Sequence, residues 1–325
     1  MEYAGSYALF NYRLVTPTAG LAPSNVRLIR AFEHGLDPSS SEAGFVLVHI
    51  DMARHSPILI TSTLTALSAA TSHPRNRNSV NISLNSLAST LRTINTTMET
   101  MWARSRPQQY TSFRTFIFGI TAQSMFPHGV LYEGVSPPGS PPLTFRGESG
   151  ANDSMIPLVD NLIGIPMPDT PLTKILQDFR QYRPSNHRDF LAWVKDRAEG
   201  VGLKGWALDG DDTEGRDETR RAWLRVLNQV RDFRWRHWCF AREYIIKRTS
   251  HPTATGGSPI VTWLPNQLQA VLAEMVALYH RFVEEGDELG EEVCDMMDLV
   301  KRQQETLRKE VSKFCEERGV SDPVV

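Results

Sequence analysis

Two of the nine histidines stand where an imidazole could do chemistry. His237 lies in FRWRHWCFAREYI (233–245). At helical spacing Val230, Phe233, Arg234, Ala241 and Tyr244 share its face, so the ring projects from a stripe expected to be mostly buried. A neutral imidazole there is either a metal ligand or a hydrogen-bonded core histidine, and spacing alone leaves both open. Phe45 and His49 are four apart and face the same way on a helix, and His49 carries the same two readings. Asp51 and His55, also four apart, are expected to form a surface pair. Arg114 is set among Phe113, Phe116, Ile117 and Phe118. An unpaired cation among such neighbours is costly, so Arg114 needs an anion. Gly147-Glu148-Ser149-Gly150 misses the spacing of a nucleophile elbow by one residue and follows no strand, which disfavours hydrolase chemistry. Thr255-Gly256-Gly257 is either a surface turn or a loop able to close.

These residues require elements to hold them. The run from Gly44, FVLVHIDMARHSPILITSTLTALSAA, predicts one or two buried helices interrupted at Pro57. Residues 71–85, rich in Ser and Asn, read as a loop leading into a helix over roughly 84–102, with Leu84, Leu87, Leu91, Ile94 and Met98 on one face. Residues 111–120 fit a strand or a buried helix equally well. Residues 135–153, rich in Pro, Gly and Ser, read as loop. Helices are expected at 155–163, 172–182 and 188–198. An acidic linker at 208–217 precedes a long helix over 218–247. After the small-residue loop 249–259, helices are expected at 265–285 and 291–317. With few alternating segments, the fold class is all-α.

Composition narrows the function. Thirty-five basic and 37 acidic residues leave a formal charge of -2, with no basic block, so nucleic acid and anionic membranes are not expected partners. No uninterrupted apolar run suggests a signal peptide or a membrane span, and a cytoplasmic location is the expectation. Three widely spaced cysteines form no CxxC pair, so neither a disulfide framework nor a zinc site is indicated. GxGxxG, Walker and HExxH motifs are absent.

Five segments resemble, in order, the indoleamine 2,3-dioxygenase family, most closely its fungal members. They are GVLYEG (129–134), RGESGANDSMIPLVDNLIGI (146–165), LQDFRQYRPSNHRDFL (176–191), FRWRHWCFAREYI (233–245) and HPTATGGSPIVTWLPNQL (251–268). The resemblance covers most of the chain from about Phe10 to Ala277. It implies an all-α helical bundle around a haem, with His237 as the proximal ligand of haem b. Asp160 and Arg234 are then paired near a haem propionate, with a structural salt bridge as the alternative. On the distal side, Phe45 stacks near an indole. His49 occupies a position that is serine in some members and histidine in the related tryptophan 2,3-dioxygenases, and it is the expected catalytic residue. Arg114 matches the arginine that holds the substrate carboxylate, an assignment that bidentate geometry favours. Gln109 and Tyr110 replace Phe-like residues. Ser149, Gly150 and Ala151 match the small-residue loop over the distal haem face, and Ser149 and Gly150 also contact substrate. Thr255 belongs to the glycine loop that closes over substrate. His187 and Arg188 belong to a family signature and are assigned structural roles.

The resemblance further implies three regions. Residues 1–40 are a remnant of the small N-terminal domain and connector, 41–285 the haem-binding domain, and 286–325 a charged C-terminal helix. Most of the small domain is expected to be missing, and contacts from Tyr3 or Tyr7 have no fixed register. The implied reaction opens the indole ring of L-tryptophan with dioxygen to N-formylkynurenine, in the kynurenine pathway of tryptophan catabolism. One alternative is a haem oxygenase acting on another indole or aromatic amino-acid metabolite in a biosynthetic pathway. The other is a truncated haem-binding relic without turnover. The family implies a monomer, with self-association as one way to cover an exposed distal side.

Overall fold

The computed structural model describes residues 10–121, 123–147, 149–150, 153–210 and 214–321. The chain begins with a two-stranded antiparallel ribbon, β1 (Tyr12–Leu14) and β2 (Val26–Leu28), in which Tyr12 pairs with Leu28. The Asn25 side chain closes its turn by accepting from Thr16 N at 2.7 Å and donating to the Thr16 and Gly20 carbonyls. Val26 and Leu28 then bury against Val46, Leu47 and Ile50.

Those three residues belong to α1 (Ser41–Ala53), which Ser40 caps by accepting from Ala43 N at 3.2 Å. The buried Glu42 carboxylate receives the backbone N–H groups of Phe32, Glu33 and His34, at 2.6, 3.0 and 2.9 Å, and pins the preceding loop. The expected interruption falls at Pro57, which takes an early position in α2 (Ser56–Thr71), where its missing N–H costs nothing. Next come α3 (Arg77–Glu99), α4 (Met101–Arg104) and α5 (Pro107–Phe113), and a 3-10 turn over Arg114–Ile117.

After a long loop follow α6 (Met155–Ile163), α7 (Pro171–Arg180), α8 (Ser185–Gly200) and α9 (Leu203–Asp209). The chain continues through α10 (Arg216–Ala241), a π-helical turn at Arg242–Ile246, α11 (Trp263–Glu284) and α12 (Glu291–Arg318). The fold is all-α, as expected. No helix of the described residues is long and apolar enough to cross a membrane.

α10 forms the axis of the bundle and packs on α3, α9, α11 and α12. Asn95 of α3 donates to the Gln229 carbonyl of α10 at 3.0 Å, so a buried polar pair sets the register of the two longest inner contacts. One continuous core holds Leu84, Leu87, Leu91, Val226, Leu227, Val230, Leu268 and Leu272, together with Val293, Met297, Val300 and Leu307 of α12.

Several boundaries differ from the sequence expectation. α3 begins at Arg77, inside the stretch read as loop, because Asn76 caps it and Arg77 is drawn inward to the Ala207 carbonyl at 2.9 Å. Residues 111–120 form the end of a helix and a 3-10 turn, not a strand. α9 extends to Asp209, which shortens the acidic linker.

Candidate active site

α10 carries His237 into the interior. Its ring retains some accessible surface, yet burial holds its pKa down to about 4, and the nearby His49 adds to the depression. A side chain that is both deep and accessible lines a recess instead of packing in solid core. Among the described residues nothing hydrogen-bonds to either of its ring nitrogens. The imidazole is therefore neutral near pH 7, which is the form that ligates iron.

One turn earlier, Arg234 donates from Nη2 to Asp160 Oδ2 at 2.6 Å and from Nη1 to the Gln267 carbonyl at 3.0 Å. Asp160 comes from α6, and its second oxygen, Oδ1, is buried without a donor. Burial pushes the Asp160 carboxyl upward, while Arg234, Arg180 and Arg183 oppose that shift.

Across the recess, α1 presents Phe45 and His49. His49 Nδ1 lies 2.8 Å from the Phe45 carbonyl, which can only accept. The proton therefore sits on Nδ1, and Nε2 is an acceptor in the neutral ring. Burial lowers the His49 pKa and favours that neutral ring. Nε2 faces Gly150, where an added Cβ would stand 3.8 Å away. The Phe45 ring is 4.7 Å from His49, 5.1 Å from Tyr110 and 5.8 Å from Phe113, forming an aromatic wall.

Arg114 closes this wall at the end of α5. It is 3% exposed, and its Nε and Nη2 atoms are buried with no acceptor. Its guanidinium lies over Phe118 at 4.8 Å. Burial lowers its pKa, and Tyr110 raises it. Of the two residues that depart from the family pattern, Tyr110 joins the wall. Gln109 turns away to accept from Ser41 Oγ, which in turn accepts from Arg106 N at 2.9 Å.

The two small-residue loops meet above these groups. A Cβ at Gly256 would fall 2.3 Å from Phe179 Cζ and 3.5 Å from Ser149 Cβ, so this turn fits there only as glycine. The Thr255 carbonyl accepts from Gly119 N at 3.0 Å. Arg146 ties the loops together through Asp178 Oδ2 at 2.5 Å and the Gly256 carbonyl at 3.1 Å. Sequence reasoning missed this arginine, because an arginine in a Pro/Gly-rich loop reads as solvated. Ala151, Tyr3 and Tyr7 lie outside the described residues.

Other expectations resolve locally. His187 Nδ1 is 3.2 Å from Ser154 Oγ, and Arg188 reaches Gln181 Oε1 at 3.2 Å. The expected Asp51–His55 pair does not form: Asp51 pairs with Arg54, and His55 Nε2 is buried without a partner. The chain breaks its helix between residues 53 and 56, so the four-residue spacing no longer brings the two together.

An all-helical bundle with a neutral imidazole on its central helix, a second imidazole near it, and an aromatic wall that ends in an arginine without a hydrogen-bond partner among the described residues defines a class of helical protein with an aromatic-walled interior site. The sequence model described as "Indoleamine 2,3-dioxygenase" matches residues 1–306, and the chain belongs to that family. It is 29% identical to a "6-hydroxytryptophan 2,3-dioxygenase" from Fusarium equiseti over 48% of this chain and 38% of the relative. It is 26% identical to the human "Indoleamine 2,3-dioxygenase 2" over 50% of this chain and 36% of the relative. Against the Rattus norvegicus "Indoleamine 2,3-dioxygenase 1" the identity is 26%, over 58% of this chain and 45% of the relative. The matched stretches thus span less than half of each of these relatives.

Proposed function

We propose that the chain is a haem-dependent dioxygenase that opens the indole ring of L-tryptophan to N-formylkynurenine, in the kynurenine pathway and in the cytoplasm. The observation that carries the reading is the pairing of two neutral, buried imidazoles, His237 and His49, across one recess. The donor set suits haem b: His237 has a nitrogen free for iron, and one turn away Arg234 is a buried cation suited to an anionic propionate. Haem b, when bound, supplies the iron at which dioxygen is activated for insertion across the indole C2–C3 bond.

The protein's part is positioning. His237 is the iron ligand, and Arg234 with Asp160 fixes the orientation of the group it holds. Arg114 takes the substrate carboxylate, which would satisfy its two orphaned donors. Phe45 packs on the indole face. His49 Nε2, the acceptor left by the Nδ1 bond to Phe45, takes the indole N–H. Ser149, Gly150 and Ala151 keep bulk away from the distal face, and Thr255 closes the recess against water.

A second reading within the same chemistry is an indole carrying a ring substituent. Two observations favour it: the phenol of Tyr110 stands in the wall where Phe-like residues are usual, and one relative is named for 6-hydroxytryptophan. The test is the visible spectrum of the purified protein loaded with hemin, reduced, with and without L-tryptophan under dioxygen. A Soret band lost in His237→Ala, followed by the absorbance of N-formylkynurenine, is the expected result. A protein that stays colourless with hemin sinks the reading, and turnover of hydroxylated indoles but not tryptophan selects the second one.

A further inference from the structure

Three guanidinium groups converge on one carboxylate beside the His237 face of α10. Arg234 is bonded to Asp160 at 2.6 Å. Arg183, 1% exposed, donates from Nη2 to the Asp153 carbonyl at 3.0 Å. Arg180, at the end of α7, is close enough to feel the charges of Asp160 and Arg234, and it acts in turn on Arg183. Yet Arg180 makes no hydrogen bond or ion pair among the described residues, and its Nε is buried without an acceptor. The acid nearest to it in sequence, Asp178, is taken by Arg146 at 2.5 Å.

Charge bookkeeping makes the gap plain. Among the described residues, Asp153 and Asp160 are the carboxylates whose charges act on these arginines. Among the described residues Arg180 is the cation of this cluster without a hydrogen-bonded or ion-paired partner, and its buried Nε is a donor that an arriving anion would satisfy. Arg114 cannot share the same ligand group easily, because it stands elsewhere, over Phe118 and beside Tyr110.

We propose that Arg180 is a positioning residue that grips a propionate carboxylate of the haem held by His237, beside the Arg234–Asp160 pair. This rests on the haem reading above and assigns the cluster to that same ligand. A carboxylate placed there balances three cations with three anions. Such a carboxylate would be held from α7 as well as from α10, two elements instead of one. Phe179, the neighbour of Arg180, meets Gly256 of the closing loop, so the same turn of α7 touches both the loop and the charge cluster.

The test uses apo-protein titrated with hemin and, separately, with hemin dimethyl ester, whose propionates carry no charge, each followed by Soret absorbance. For Arg180→Gln we expect hemin affinity to fall roughly tenfold or more, the loss of one charge-assisted hydrogen bond. Affinity for the diester should match that of the unsubstituted protein. Arg180→Lys, which keeps the charge but not the fork, should fall between the two with hemin. Equal losses with both porphyrins, or no loss with hemin, overturn the proposal. So does a variant that keeps its hemin affinity but loses the spectral response to L-tryptophan, since the carboxylate would then be the substrate's. If the unsubstituted protein takes up neither porphyrin, the haem reading itself fails, a result distinct from an effect confined to the variants.

Discussion

His237 and His49 both have lowered pKa values, and burial is the leading cause for each. In the unfolded chain both titrate near the ordinary histidine value, so below that value the unfolded state binds more protons than the folded one. Stability of the apo-protein should therefore decline as pH falls from about 6.5 toward about 4, by as much as about 1.4 kcal/mol per pH unit for His237, with His49 acting in the same direction. Urea unfolding across this range measures it, and His237→Gln should flatten the decline; an unchanged slope would mean the ring is not buried neutral.

The fixed tautomer of His49 makes a second claim at this scale. In haem-loaded protein, 1-methyl-L-tryptophan, which lacks the ring N–H, should bind roughly three- to tenfold more weakly than L-tryptophan, the range for one neutral hydrogen bond. His49→Ala should erase that ratio. A ratio that survives the substitution would move the N–H contact elsewhere.

Single side chains were legible where the setting was unusual: an arginine among phenylalanines, or a histidine in an apolar stripe. Arg180, Arg183 and Asp153 were not. Each looks like an ordinary surface charge in its own segment, and only the tertiary fold gathers them.

At the scale of elements, periodicity located the long helices but not the short α5 and α9. Residues 155–163 were placed to the residue, and α12 to within one. The start of α3 was missed because Asn and Ser are poor interior helix formers. There they are satisfied locally, as when Ser83 Oγ donates to the Ser79 carbonyl at 2.8 Å, while Arg77 and Val80 are buried by neighbouring helices.

The glycine loop gives this scale its own prediction. Phe179 is 1% exposed and held against Trp263 at 5.5 Å, so it cannot yield to a Cβ at Gly256. Gly256→Ala should expel residues 253–258 from their seat, at a cost of about 1–3 kcal/mol. Hydrogen exchange of the Gly257 amide, which donates to the Ala254 carbonyl at 2.8 Å, reads the change. Unaltered protection would show that the loop tolerates bulk.

For the whole molecule, the charged terminal helix is tied into the interior. Glu310 accepts from Trp238 Nε1 at 2.7 Å, and Gln303 accepts from the buried Arg231 at 2.6 Å. Val293, Met297, Val300, Leu307 and Val311 of α12 are all within the main core. We expect a chain ended at Leu289 to lose cooperative thermal unfolding and near-ultraviolet circular dichroism, because removing α12 exposes that core and leaves Arg231 without Gln303. A sharp, native-like transition in the shortened chain would show α12 to be dispensable.

By itself the sequence determined the helical class, most helix positions and the side chains with exceptional surroundings, since local periodicity and composition are properties of neighbours along the chain. Tertiary structure decided the rest. It chose which charges are brought together, that Gln109 faces away to Ser41 while Tyr110 packs on Phe45, and that Arg77 is drawn in to the Ala207 carbonyl. Such outcomes depend on contacts between residues far apart in sequence, where desolvation and packing, not spacing, set the energy.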